Sequence, residues 1–98
     1  MTPPLLEFHP QAIAEARHAR RWYAERNPIV ATAFVAAMDH AIESILAMPD
    51  RAPSHLHGTR RLTLHRFPFS VVYRVLAETI LIVAFAHDRR EPGYWADR

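Results

Sequence analysis

Seven residues in the second half of the chain carry groups suited to chemistry on an anion: Arg61, Arg66, Arg74, His87, Arg89, Arg90 and Tyr94. Cleaving a phosphodiester without a metal needs three things: a base for the attacking hydroxyl, an acid for the leaving oxygen, and cations for the charge that develops between them. His87 titrates near neutrality and suits either proton role. Arg61 and Arg90 supply positive charge, and Tyr94 can donate a proton or stack on a base. The same residue types also describe a solvated basic face. There the arginines pair at the surface with Glu78, Asp88 and Glu91, each pair contributing little, and His87 caps the last strand. Residue type alone leaves both readings open.

Other chemistries lack their residues. His55 and His57 stand two apart on an expected loop with no acidic ligand beside them, so no metal site is expected. The chain has no cysteine, hence no disulfide framework and no thiolate ligand. Gly58 and Gly93 are its only glycines, which excludes a phosphate-cradling glycine loop, and no Gly-x-Ser-x-Gly or His-Glu-x-x-His run occurs. No cofactor is expected.

The elements that must position the seven residues begin with the stretch from Arg60 to His87. Leu62 and Leu64 alternate with Arg61, Thr63 and His65. Phe69, Val71, Tyr73 and Val75 alternate with Ser70, Val72, Arg74 and Leu76. Ile80 to Phe85 is apolar on both faces, as a strand covered on both sides should be. Phe67-Pro68 and Ala77-Glu78 separate the runs, and gaps this short permit only antiparallel neighbours. A three-strand antiparallel meander is expected.

Upstream, Pro3 and Pro4 mark a loose start and Leu5–Phe8 is a short candidate strand. His9-Pro10 opens a helix to about Arg26, with proline at the first helical position, where its missing N–H costs nothing. Its expected apolar stripe is Ile13, Ala16, Ala19 and Tyr23, with Trp22 beside it. Asn27-Pro28 repeats the signal with asparagine as N-cap. The second helix is expected from Pro28 to about Met48, with Ala31, Phe34, Val35, Met38, Ala41, Ile42, Ile45 and Leu46 on one stripe. The intervening turn is short enough to make the helices an antiparallel hairpin. Pro49 and Pro53 lead into a loop up to Gly58, and a polar tail follows His87. The order gives an α+β fold: an N-terminal strand, a two-helix hairpin and the meander. The helices would cover one sheet face, and the other would stay partly open and carry arginines.

With 98 residues the chain is expected to form a single domain over residues 1–98. Half its residues are apolar and 22% are charged, an ordinary globular balance. No secretory pattern opens it and no apolar run is expected to span a bilayer, so a cytoplasmic protein without a membrane partner is expected. Net charge is +2, but the basic residues concentrate in the sheet half and all are arginine. Arginine suits planar, two-pronged contact with carboxylate or phosphate. Codon preference explains the absence of lysine equally well. A basic face suggests an acidic partner, either nucleic acid or an acidic protein segment.

The ordered set Trp22-Tyr23, Asn27-Pro28, Phe34-Val35, Arg60-Arg61-Leu62, Phe67-Pro68-Phe69-Ser70-Val71-Val72-Tyr73-Arg74-Val75 and His87-x-Arg89-Arg90-x-Pro92-Gly93-Tyr94-Trp95-x-x-Arg98 resembles the RelE/ParE toxin superfamily. It most resembles the ParE-like, plasmid-stabilisation branch, over nearly the whole chain. The resemblance implies the strand, helix hairpin and antiparallel sheet laid out above. It also implies a toxin of a type II toxin–antitoxin system, held in a hetero-oligomer by a cognate antitoxin. The RelE-like branch enters the ribosome and cuts mRNA without a metal; the ParE-like branch poisons DNA gyrase.

Carried over residue by residue, the ribonuclease pattern fits Arg61 and Tyr94, admits Arg90, and leaves His87 as an acid–base group. It departs at Thr63, Ser70 and Asp88, where that branch carries basic residues. Each transition-state cation is worth about 2–4 kcal/mol, so these departures favour the gyrase-directed reading. The nuclease reading would use Arg61, His87, Arg90 and Tyr94 against ribosome-bound mRNA. An inert relative that only binds antitoxin is a third possibility. Arg60, Arg66, Arg74, Arg89 and Trp95 are the expected partner-binding residues.

Overall fold

Two prolines fix where the helices start. In the computed structural model, which describes residues 4–98, strand β1 (Leu5–Phe8) leads into helix α1 (Pro10–Arg26) and helix α2 (Pro28–Ala47). Pro3 lies outside the described residues. His9 caps α1, its Nδ1 accepting from the Gln11 N–H at 3.1 Å, and Asn27 caps α2, its Oδ1 accepting from the Ile29 N–H at 3.0 Å. Each cap satisfies a donor that the first helical turn leaves free.

The expected loop before the meander is partly ordered as strand. It holds the two-residue β2 (Ser54–His55) and a 3-10 turn, Leu56–Gly58, before β3 (Thr59–Thr63). Strands β4 (Phe69–Val75) and β5 (Thr79–His87) complete a five-stranded sheet in the order β1-β5-β4-β3-β2. The meander is antiparallel as expected, while β1 pairs with β5 in parallel, Leu5 opposite Thr79 and Phe8 opposite Ile82. The sheet is therefore mixed, because the two helices supply the long crossover that a parallel neighbour requires.

The helix-facing core joins Phe34, Met38, Ala41 and Ile45 of α2 to Val71, Tyr73, Ile80, Ile82 and Phe85 of the sheet. Phe34 meets the rings of Tyr23, Phe67 and Phe69 at centroid separations of 5.1–5.3 Å. On α1 the buried residues are Ala12 and Ala19, not Ile13, which is exposed along with Trp22. Alanines bring that helix close to β5. One expectation about membranes needs correcting: α2 has 20 residues with a mean hydropathy of 1.5 over its best window, long and apolar enough to cross a bilayer. Its buried stripe packs on the sheet instead.

A β-bulge at Val83 controls which side chains point where. Tyr73 pairs with Ile82 but Val72 pairs with Ala84, so β5 carries one extra residue. Before the bulge, Ile80 and Ile82 face the helices. After it, Phe85 does so, and so does His87, directly opposite Phe69. Val83 and Ala84 join Val72 on the far face. The sequence led us to expect this face to be partly open, but its centre is covered. Trp95, 1% exposed, folds back over Val72, Val83 and Ala84 and makes a second core.

Candidate functional site

The bulge decides which of the expected site residues meet. Arg61 lies opposite Val72 and so belongs to the far face, whereas His87 lies on the helix face beside Phe69. Arg90 and Tyr94 meet each other, the guanidinium 3.5 Å from the ring centroid. All four candidate nuclease residues nonetheless border one small pocket, Arg61 from the far face and His87 at the strand end, where it also lines the groove on the helix side.

Each is also engaged. Arg61 donates from Nε to the Ser70 hydroxyl at 3.1 Å and from Nη2 to Asp88 Oδ1 at 3.1 Å, and Ser70 donates to the same Asp88 oxygen at 2.7 Å. Ser70 and Asp88, the positions that depart from the nuclease pattern, therefore form a closed polar set that neutralises Arg61. The His87 Nδ1 accepts from the Arg89 N–H at 3.1 Å, and its ring lies edge-on to Phe69.

The expected partner contacts divide similarly. Arg60 donates to the carbonyls of Asp50 and Ala52 at 3.0 and 2.7 Å, and Arg74 donates to the His57 carbonyl. Both pin the loop before β3. Trp95 is core, so its indole presents no surface to a partner, contrary to the expectation. Arg66 and Arg89 are exposed and form no ion pair among the described residues.

Sequence reasoning missed Glu15. Its carboxylate accepts from Tyr94 Oη at 2.6 Å, from Arg98 Nη1 and Nη2 at 2.8 and 3.1 Å, from Arg90 Nη1 at 3.2 Å, and from the Phe85 N–H at 3.2 Å. Strand β1 stops at Phe8, and the β5 edge beyond it would otherwise be unpaired. Glu15 takes the Phe85 N–H there and Arg98 takes the Val83 carbonyl. Burial, then the hydrogen bond to Glu15 and its charge, push the Tyr94 hydroxyl far above the usual tyrosine range. Tyr94 is thus a proton-bearing donor committed to Glu15. The one signal in the sequence was a carboxylate bordering the Ala12–Ala16–Ala19 stripe. Its partners lie 70–83 positions away.

Between α1 and the ends of β4 and β5 lies a groove of about 650 Å³. Ala19, Tyr23, Phe69 and Phe85 give it an apolar floor. Trp22, His18, Glu15, His87 and Arg90 form its rim. Trp22 is 47% exposed, with Arg26 stacked on one ring face at 3.7 Å. Of the arginines, Arg90 alone is among the residues that line the groove. A smaller pocket behind it is bordered by His55, Arg61, His87, Arg90, Tyr94 and Trp95. Burial, then the charges of Arg61 and His57, depress the pKa of His55.

Comparison with known proteins converges on one family. The family described as "ParE toxin of type II toxin-antitoxin system, parDE" matches residues 6–92. A solved chain from the chromosomal ParDE TA system of P. aeruginosa superposes with a TM-score of 0.76 at 25% sequence identity, covering 87% of this chain and 96% of that one. No curated protein matches by sequence.

Proposed function

The chain belongs to the ParE toxin family, and on that premise we propose that it arrests growth by contact with DNA gyrase and is neutralised by a cognate antitoxin. The observation that carries the reading is the closed Arg61–Ser70–Asp88 set. A metal-free nuclease needs free cations around the scissile phosphate. Here all four candidates border one small pocket, but Arg61 is already paired with Asp88, Tyr94 is committed to Glu15, and the His87 ring lies edge-on to Phe69. A surface built this way suits protein contact better than phosphodiester cleavage.

The groove supports an antitoxin partner. Its apolar floor, the exposed Trp22 and the cationic Arg90 on its rim fit an acidic, amphipathic segment that orders on binding. Such a complex would be a toxin–antitoxin hetero-oligomer in the cytoplasm, and its affinity would fall with salt.

The test is a pulse of expression without antitoxin, with a DNA-damage reporter and transcript ends read from one culture. Arrest with the reporter on and transcripts intact supports the reading. Arrest with the reporter off and transcripts cut within codons overturns it in favour of a ribosome-dependent mRNA endonuclease. No arrest at all marks an inert relative that only binds antitoxin. Purified protein should also inhibit supercoiling by gyrase.

A further inference from the structure

The segment that follows β5 is held to the molecule by side chains. From Arg89 onward, every backbone–backbone hydrogen bond among the described residues is a local turn: Arg90 to His87, Tyr94 to Glu91, Ala96 to Gly93 and Arg98 to Trp95. Apart from the Arg90 turn onto His87, the last residue of β5, no such bond joins residues 89–98 to the sheet or the helices. Two attachments bear the load. Trp95 packs on Val72, Val83 and Ala84, flanked by the rings of His55 and His57. Glu15 of α1 gathers Tyr94, Arg90 and Arg98 onto one carboxylate.

We propose that residues 89–98 form a strap that docks and undocks as a unit, with Glu15 as its latch. The Glu15 and Arg98 side chains are 14% and 10% exposed. A pair this sheltered is weakly screened, and removing one partner leaves the other as an uncompensated charge. Without Glu15, Arg90 and Arg98 would share the Tyr94 ring, at 3.5 and 5.1 Å, with no counter-charge between them. The strap then keeps only the packing of Trp95 and the single Arg98 bond to the Val83 carbonyl. A segment that makes few long-range backbone bonds opens without global unfolding.

Undocking has two consequences. It uncovers the apolar strip of Val72, Val83 and Ala84. It also withdraws Arg90 from the groove rim and leaves Glu15 there as an unpaired anion. The docked strap therefore makes that end of the groove attractive to an acidic occupant, and the open strap makes it repulsive. This second consequence rests on the groove reading above. The strap and its latch do not, and their test uses no partner.

The experiment compares hydrogen exchange of full-length wild type with Glu15→Gln and Arg98→Gln. Trp95 emission is read in a Trp22→Phe background. In Glu15→Gln, exchange over residues 89–98 should accelerate at least about tenfold and Trp95 emission should shift to the red, while β4 and α2 stay protected. Arg98→Gln should move both readouts less and in the same direction, and it serves as the test if Glu15→Gln does not fold. Unchanged exchange over 89–98 would overturn Glu15 as the latch. A parallel rise across β4 and α2 would overturn the strap as a separate unit.

Discussion

Tyr94 donates its hydroxyl proton to Glu15 at 2.6 Å, joining residues 79 positions apart. The bond ties the first helix to the segment after the last strand, so the two ends of the described chain share one electrostatic centre. It also fixes the protonation state that Tyr94 must keep.

Tyr94→Phe removes the donor but keeps the ring on which Arg90 stacks. Glu15 retains its other donors, so the loss at neutral pH should be about 1–2 kcal/mol by urea denaturation. The sharper signature is alkaline. The folded-state pKa of Tyr94 is raised, so the stability it contributes is fully present below the unfolded value of about 10 and is lost as pH rises through the folded value. Burial raises Tyr23 and Tyr73 as well. The stability of Tyr94→Phe should therefore fall less steeply than that of wild type above about pH 10, without becoming flat.

How much of this was legible in the sequence depends on range. The helix starts at Pro10 and Pro28, the β4 run and the α2 stripe follow from local rules, and the structure bears them out. The parallel pairing of β1 with β5 had no local signal, because it depends on where two helices return the chain. The Val83 bulge was equally silent in a run that is apolar on both faces, yet it sends His87 to the opposite face from Arg61. Trp95 sits in a polar stretch, and only the bare strip on Val72 and Ala84 explains its burial. Glu15 was unreadable because every partner is distant in sequence.

His55 gives the acid counterpart of the tyrosine effect. Burial, Arg61 and His57 all lower its pKa. The unfolded chain therefore binds the proton more readily, and stability declines as pH falls from about 6.5 through the depressed folded value. His55→Gln should weaken that decline as pH falls below about 6.5, measured by denaturant midpoints across the range. An unchanged acid limb would show that His55 is not its source.

Trp22 and Phe34 separate binding from folding. Phe34 is fully buried among three aromatic rings, so Phe34→Ala should cost about 3–5 kcal/mol of stability. Trp22→Ala removes a half-exposed ring at the groove rim and should change stability by no more than about 1 kcal/mol. As the large exposed aromatic of the groove it should nonetheless weaken antitoxin binding by about 2 kcal/mol or more, some thirtyfold. Denaturation and titration calorimetry with the antitoxin, run on both variants, check the pair. Wild-type antitoxin affinity in a folded Trp22→Ala would remove the groove as the binding surface.

The double variant Arg61→Ala/His87→Ala discriminates most directly between cleavage and contact. Under a nuclease reading it removes a transition-state cation and the acid–base group together, and single transition-state donors are worth about 2.7–4 kcal/mol. Growth arrest would then disappear. The geometry argues otherwise. Arg61 is tied to Asp88 and Ser70, and His87 accepts from the Arg89 N–H on the opposite face. Losing Arg61 leaves Asp88 still bonded to Ser70 at 2.7 Å in a partly exposed setting, so the fold should lose only about 1–2 kcal/mol. The expected outcome is a folded variant that still arrests growth and still inhibits supercoiling. Circular dichroism establishes folding, and induced-culture growth curves read toxicity. A folded, non-toxic double variant whose gyrase inhibition persists in vitro would place the activity at Arg61 and His87 and end the contact reading.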